Sequence, residues 1–296
     1  MDYLSRTRCN TNIMTRNDRI LIVGMGVTGG NLYRELQALC PDVYDIDKRR
    51  LPSGWKLRHD KYDMIFICVD TPYVDEHTPC DLSSVRDAIG RWKPHLYYDV
   101  DDNAKSGFFV IKSTMLPGST EMLEGEFETR IVYSPEYYGG TQHCNNFSFP
   151  FTIIGSRGAY GTRLQQLLQK VHDGRHSFRH VDTRTAEMAK YMENCWLATK
   201  VSFCCQFFDI AENNGVGYEE LRELFVLDPR VNPSHTFVYR DAPFWDSHCL
   251  NKDVRAMALW ARAPLLQGVV GYNEALKKKY AQPDEKDSFA GTEDNH

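Results

Sequence analysis

Short apolar runs broken by turn residues fill the first half of the chain, and one long uninterrupted apolar pattern dominates the second. Arg19-Ile20-Leu21-Ile22-Val23, Tyr62 through Val69, Gly107 through Lys112, Arg130-Ile131-Val132-Tyr133 and Phe151-Thr152-Ile153-Ile154-Gly155 have the length and composition of strands buried on both faces. Val43-Tyr44-Asp45 reads as the end of one more. Between these runs, 31–36, 82–89 with Asp81 as its cap, a stretch from Ser119 and 159–171 carry helical spacing. Strands alternating with helices predict an α/β fold whose N-terminal part is a Rossmann-type, doubly wound parallel sheet. From 185 to 214 neither Gly nor Pro occurs, and apolar residues cover more than one helical face. That predicts a single long helix, buried against several neighbours and suited to a dimer interface. Shorter helices over 218–225, 251–263 and 264–279 follow, with 227–246 rich in loop residues. The second part is therefore read as an all-helical domain built on one long helix. The expected boundaries are a flexible arm at 1–17, the sheet domain at 18–182, the helical domain at 183–280 and a disordered acidic tail at 281–296.

Composition narrows the class without naming a function. A hydrophobic content of 42% and a charged content of 25% suit a globular protein. A net charge of -5 argues against non-specific nucleic-acid binding. No stretch approaches the ~20 apolar residues of a membrane span, and no apolar signal core opens the chain. The nine cysteines form no CxxC pair and no zinc-ligand spacing. The expectation is a cytoplasmic protein with free thiols and no metal.

The chemistry begins at Gly24-Met25-Gly26-Val27-Thr28-Gly29, a GxGxxG between a strand and a helix. Gly24 permits the tight turn, Gly26 the approach of a pyrophosphate and Gly29 the close packing of helix on strand. The helix N-terminus offers N–H donors to phosphate oxygens. Asp45 follows Gly24 by 45 − 24 = 21 residues, near the ~20 expected of an acid that binds ribose hydroxyls. An acid there favours NAD over NADP, while Lys48-Arg49-Arg50 just beyond would tolerate a phosphate. Thr71, Thr114 and Glu136 fall at the carboxyl ends of strands, where ligands sit in such sheets, although each residue type is more often a simple turn or cap.

Two further features concern catalysis. Lys190 and Asn194 are four apart on the long helix and share a face flanked by Met188, Ala189, Met192 and Cys195, surroundings in which polar groups need partners. Cys249 stands directly before a predicted helix start, with Asn251 as the cap and Lys252 nearby, where helix dipole and cation both favour a thiolate. The commoner fate of a free cysteine is to fill a core.

Taken in order, Cys68-Val69-Asp70-Thr71-Pro72, Lys112-Ser113-Thr114 with Pro117-Gly118, Ser134-Pro135-Glu136, Glu187 through Lys190 to Asn194, Asp228-Pro229-Arg230 and Cys249-Leu250-Asn251-Lys252-Asp253 resemble the UDP-glucose/GDP-mannose dehydrogenase family from about Arg19 to Asn273. The resemblance implies a two-step, NAD-dependent oxidation of the 6-hydroxymethyl group of a nucleotide sugar, UDP-glucose first, to the uronate. It implies Cys249 as the thiol that forms a thiohemiacetal and then a thioester, with Lys190 and Asn194 holding the oxyanion and Thr114 holding a water. Glu136 would be the base of hydrolysis, supported by Asp253 and Thr114. Cofactor contacts would come from Gly24, Met25, Gly26, Val27, Thr28, Gly29, Asp45, Val69, Thr71 and Thr114. Substrate contacts would come from Glu136, Tyr137, Lys190, Asn194 and Arg230, the arginine reaching across a homodimer formed through 185–214. The chain departs from the family pattern in places. Phe244 to His248 replace a glycine-rich loop, Asn251 replaces a proline, Gly139-Gly140 stand where a second glutamate is usual, and Cys205-Gln206 replace an Asn-Glu pair. The family's third domain would begin where this sequence stops, so the expected site is more open or is covered by another chain. Two other readings stay open: a one-step dehydrogenase of a small 3-hydroxy acid, and a non-catalytic subunit that binds NAD or a nucleotide sugar.

Overall fold

A computed structural model describes residues 18–280 apart from Ser53, 138–148 and Arg157. The expected arm at 1–17, the tail at 281–296 and Gly139-Gly140 lie outside the described residues. The chain divides into two compact units, Met1–Asn194 and Cys195–His296.

The first unit is built on seven strands: β1 (Ile20–Val23), β2 (Asp42–Tyr44), β3 (Met64–Ile67), β4 (Phe108–Ile111), β5 (Ile131–Tyr133), β6 (Phe151–Gly155) and β7 (Ser177–Val181). Their order is β2-β1-β3-β4-β5-β6-β7. β1 to β5 are parallel throughout. The sheet is therefore mostly parallel, as expected, but β6 joins β5 antiparallel through the single pair Tyr133↔Gly155. β7 had no counterpart in the apolar pattern. It pairs parallel with β6 and leaves Arg179 and His180 exposed, so it lacks the apolar run of a doubly buried strand.

Helices α1 (Val27–Leu36), α2 (Ser83–Trp92), α3 (Ser119–Phe127) and α4 (Ala159–Leu168) cover the sheet on both faces. Leu32, Leu36, Leu164 and Leu167 pack with Ile20, Ile22, Phe66 and Val110 on one side. Val85, Ile89, Trp92 and Leu123 pack with Leu21, Ile65, Phe109 and Ile111 on the other. Alternation along each strand thus feeds two cores from one run of apolar residues.

α5 (Thr183–Asn213) is the predicted long helix, 31 residues and about 46 Å at 1.5 Å per residue. It starts two residues before the expected 185 because Asp182 caps it, accepting from the amide (2.9 Å) and hydroxyl (2.6 Å) of Thr185. Its apolar residues are not all buried, as the all-round pattern suggested. Met188, Met192, Trp196, Phe203, Phe207 and Ile210 remain exposed along the helix.

The second unit holds the rest of α5 with α6 (Tyr218–Phe225), α7 (His248–Trp260) and α8 (Pro264–Tyr280). Cys204, Phe208 and Tyr218 form a small core with Leu221 and Val238. α7 begins three residues before the predicted cap: Ser247, not Asn251, accepts the helix amide, from Leu250 at 3.3 Å. Asn251 instead bonds Asp246 (2.8 Å) and Lys277 (3.0 Å).

Candidate active site

The glycine turn sits between β1 and α1 as the pattern required. Gly24 has φ +90°, and a Cβ there would lie 2.6 Å from the carbonyl oxygen of Cys68. A Cβ on Gly29 would lie 1.7 Å from the Gly24 carbonyl oxygen, so only glycine lets α1 close onto the turn. Gly26 is different: a Cβ there would meet nothing nearer than Arg50 Nη1 at 3.7 Å. Backbone is open at that point. α1 has no side-chain cap and no acid in its first turn, so the amides of Val27, Thr28 and Gly29 keep the donor capacity that a phosphate needs. Asp45, buried at the end of β2, accepts from Met25 N (2.6 Å) and Asp47 N (2.8 Å). Arg50 Nη1 is 4.0 Å from the same carboxylate. This cradle of turn, helix end and acid fits a dinucleotide.

The ends of β3 and β4 are tied together. Thr71 Oγ1 donates to the Thr114 carbonyl at 2.6 Å, and Ser113 Oγ to that of Val69 at 2.6 Å. Thr71 is buried and its hydroxyl is spent on this link, whereas Thr114 is half-buried. The segment after Thr114 is held from α5. The Glu187 carboxylate, wholly buried, accepts from Gly118 N (2.5 Å), Thr120 N (2.8 Å) and Thr120 Oγ1 (2.6 Å). A side chain one turn before Lys190 thereby caps α3.

Lys190 and Asn194 are buried rather than solvated, at 8% and 5% exposure. Lys190 Nζ pairs with Glu193 at 2.6 Å and lies 4.5 Å from the centre of the Tyr137 ring. Burial, then the Glu193 and Glu136 carboxylates, push the Tyr137 hydroxyl up, so it stays protonated. The neighbouring Glu136 pairs with Lys112 at 3.3 Å and accepts from Tyr137 N at 2.9 Å. A cavity of about 840 Å³ opens on Glu136, Tyr137 and Lys112, with Phe149, Phe151 and His172 among its walls.

Arg230, Cys249 and Asp253 belong to the second unit. Arg230 is exposed and folds back on Asp228, with Nε 3.0 Å and Nη2 2.5 Å from its carboxylate. Cys249 is exposed and not disulfide-bonded, and it occupies the first turn of α7 rather than the residue before a helix. The later helix start drawn from Asn251 missed this; the true cap places the thiol inside the first turn, at the end of the helix whose dipole favours a thiolate. Cys68, Cys195 and Cys205 are buried, and burial pushes each thiol up to about 12. Cys40 is disulfide-bonded, against the expectation of free thiols throughout. Asp253 is buried and pairs with Lys252 at 2.7 Å.

The loop that replaces the family glycines is anchored by aromatic burial. Trp245 is 3% exposed. Its amide donates to Asn273 Oδ1 at 2.9 Å, its carbonyl accepts from Asn273 Nδ2 at 3.0 Å, and its indole donates to Ser202 at 3.0 Å. Asp246 adds an ion pair to Lys277. Thus the first unit brings Glu136, Tyr137 and Lys190 together with Asn194 one helical turn on, and ties Thr114 to Thr71 and Val69. The second carries Cys249 on a fixed loop and helix start. Glu187, Lys112, Glu193 and Asn273 were not among the expected site residues. Glu187 and Lys112 were visible only as members of motifs, with nothing local to show their partners.

Residues 34–173 match the UDP-glucose/GDP-mannose dehydrogenase family's NAD binding domain, and residues 184–275 match its central domain. The glycine turn lies just ahead of the first match. A UDP-glucose 6-dehydrogenase of Rickettsia prowazekii is 27% identical over 220 residues, 71% of this chain and 48% of the relative. A GDP-mannose 6-dehydrogenase of Azotobacter vinelandii is 30% identical over 197 residues, 60% of this chain and 44% of the relative. The chain thus spans about half the length of these curated relatives. Among solved structures, a UDP-glucose dehydrogenase from Pyrobaculum islandicum superposes with TM-score 0.72 at 21% identity, covering 90% of this chain and 71% of the other. A Mycobacterium tuberculosis 3-hydroxyisobutyrate dehydrogenase superposes with TM-score 0.60 at 15% identity, covering 89% of this chain and 95% of the other.

Proposed function

The chain belongs to the UDP-glucose/GDP-mannose dehydrogenase family, and from that premise we propose that it oxidises the 6-hydroxymethyl group of a nucleotide sugar, UDP-glucose first, to the carboxylate in two NAD-dependent steps. The observation that carries this reading is the contrast among the thiols. Cys249 alone among the described cysteines outside a disulfide is classed as exposed, and it stands in the first turn of a helix, while Cys68, Cys195 and Cys205 are buried.

NAD supplies a two-electron acceptor at each oxidation. The glycine turn and the α1 amides hold its phosphates, and Asp45 its ribose. In the first oxidation the hydroxyl loses its proton through a water beside Thr114, Lys190 with Asn194 stabilises the alkoxide, and the alkoxide carbon gives up its hydrogen as hydride to become the aldehyde. The Cys249 thiolate then adds to the aldehyde carbon, giving a thiohemiacetal whose oxyanion Lys190 and Asn194 hold. Loss of its carbon-bound hydrogen as hydride leaves a thioester. Glu136 takes a proton from water, with Asp253 and Thr114 in support, the hydroxide attacks the thioester carbonyl, and the carbon–sulfur bond breaks, the proton of the new acid passing to the departing sulfur so that carboxylate and the Cys249 thiol result.

The exposed apolar stripe on α5 supports a homodimer through that helix, with Arg230 reaching the partner's substrate. A cytoplasmic site of action belongs to the same proposal; among the described residues no helix is long and apolar enough to cross a membrane. A one-step oxidation of a small 3-hydroxy acid is the second reading, favoured by the near-complete coverage of the 3-hydroxyisobutyrate dehydrogenase fold. Counting NADH against a panel of UDP- and GDP-sugars and 3-hydroxy acids decides: two per sugar supports the proposal, one per acid the alternative, and binding without turnover overturns both.

A further inference from the structure

Lys112 ends β4 with its ammonium buried, 8% exposed, and inside the first unit it faces two carboxylates. The nearer is Glu136, at 3.3 Å. The other is Glu35 of α1, which pairs with His172 at 2.9 Å; that ring stacks on His176 at 3.7 Å. Cys68, after β3, also adjoins Lys112, but burial keeps it a neutral thiol. On the α5 side, Lys190 is engaged by Glu193. Burial by itself would lower the Lys112 ammonium, yet Glu136 and then Glu35 outweigh it and hold it above its ordinary value.

A lysine taken out of water needs a reason, because breaking such a pair strands a charge. The cavity beside the pair provides one. It leaves Glu136, 16% exposed at its side chain, open on one side, in a space far larger than the ~30 Å³ share of one water. We propose that Lys112 is a positioning residue for hydrolysis: it holds the Glu136 carboxylate aimed into the cavity, so that Glu136 accepts the proton of the attacking water. The inference rests on Glu136 being the hydrolytic base. Without the ammonium the carboxylate loses the partner that fixes its direction, and a base that no longer points at the water is slow to take its proton.

The test uses the full chain with NAD and UDP-glucose. Rapid mixing separates the NADH burst from steady-state hydrolysis. In K112M the burst is expected to persist while steady-state turnover falls about tenfold or more. K112R should restore most of the steady-state rate, since Arg keeps an ion pair to Glu136. E136Q should lose the hydrolytic step at every pH. If K112M leaves the steady-state rate unchanged, or slows the burst as much as turnover, while E136Q loses hydrolysis, the role of Lys112 is wrong and that of Glu136 survives. If E136Q hydrolyses at the wild-type rate, Glu136 is not the base and the inference falls with it. Should K112M fold poorly, K112M/E136Q, which removes both buried charges, is expected to melt higher than K112M; equal melting overturns the pairing.

Discussion

Glu187→Gln perturbs one buried group and leaves its volume almost unchanged. In the wild type, both carboxylate oxygens accept: one from Gly118 N, the other from Thr120 N and Oγ1. An amide keeps one oxygen and turns an NH2 toward the remaining partner. If the oxygen stays on Thr120, the Gly118 amide faces a second donor. A buried donor left unsatisfied costs about 1–3 kcal/mol, so about 2 kcal/mol is expected. At about 2–4 °C per kcal/mol for a domain of this size, the first unit should melt about 4–8 °C lower. The same bonds hold the segment that leads from Thr114 into α3. A shift of about 1 Å at a reacting group can cost about 10²-fold, so turnover should fall about ten- to hundredfold while NAD affinity stays within about twofold. Calorimetry, NAD titration and steady-state kinetics on one preparation read all three. Melting within about 1 °C of wild type with full turnover would refute the reasoning, because the three bonds would then contribute nothing.

Gly29→Ala places a Cβ against the Gly24 carbonyl oxygen, where only backbone movement makes room, so NAD affinity should fall by about tenfold or more in an equilibrium titration; unchanged affinity would mean that the turn is not the phosphate cradle. His235 lies in the second unit and is held below its ordinary value by burial and then by Lys200. It therefore contributes stability at neutral pH that is lost as pH falls from about 6.5 through its lower folded value. His235→Gln should flatten the melting temperature of that unit across this window, and a slope identical to wild type would rule His235 out as the cause.

The local patterns carried most of the first unit. Strand runs such as 64–67 and 108–111 are buried on both faces, so their apolar continuity was visible without any partner. Glycines 24, 26 and 29 report backbone needs that act within a few residues. β7 escaped because a strand with an exposed face carries Arg179 and His180 where an apolar run was sought. The start of α7 was misplaced because Ser247 and Asn251 are both good caps, and only the bond to Leu250 N distinguishes them. Partners distant in sequence were invisible: Glu187 reaches Thr120 across 67 residues, and Asn273 holds Trp245 across 28. Those contacts explain how an aromatic loop can stand where glycines were expected. Trp245 is anchored through its own backbone, so burial supplies the fixed geometry that leads into Cys249.

The central claim is that one thiol carries the sugar between two oxidations. Its most direct measurement is the number of NADH formed per UDP-glucose in a single turnover, with acid quench and mass analysis of the protein. Wild type is expected to give two NADH and a hexuronyl adduct on the peptide containing Cys249. Cys249→Ser is expected to form no such adduct and to lose the second NADH. Two NADH per sugar from Cys249→Ser, or an adduct on any other cysteine, would contradict the account.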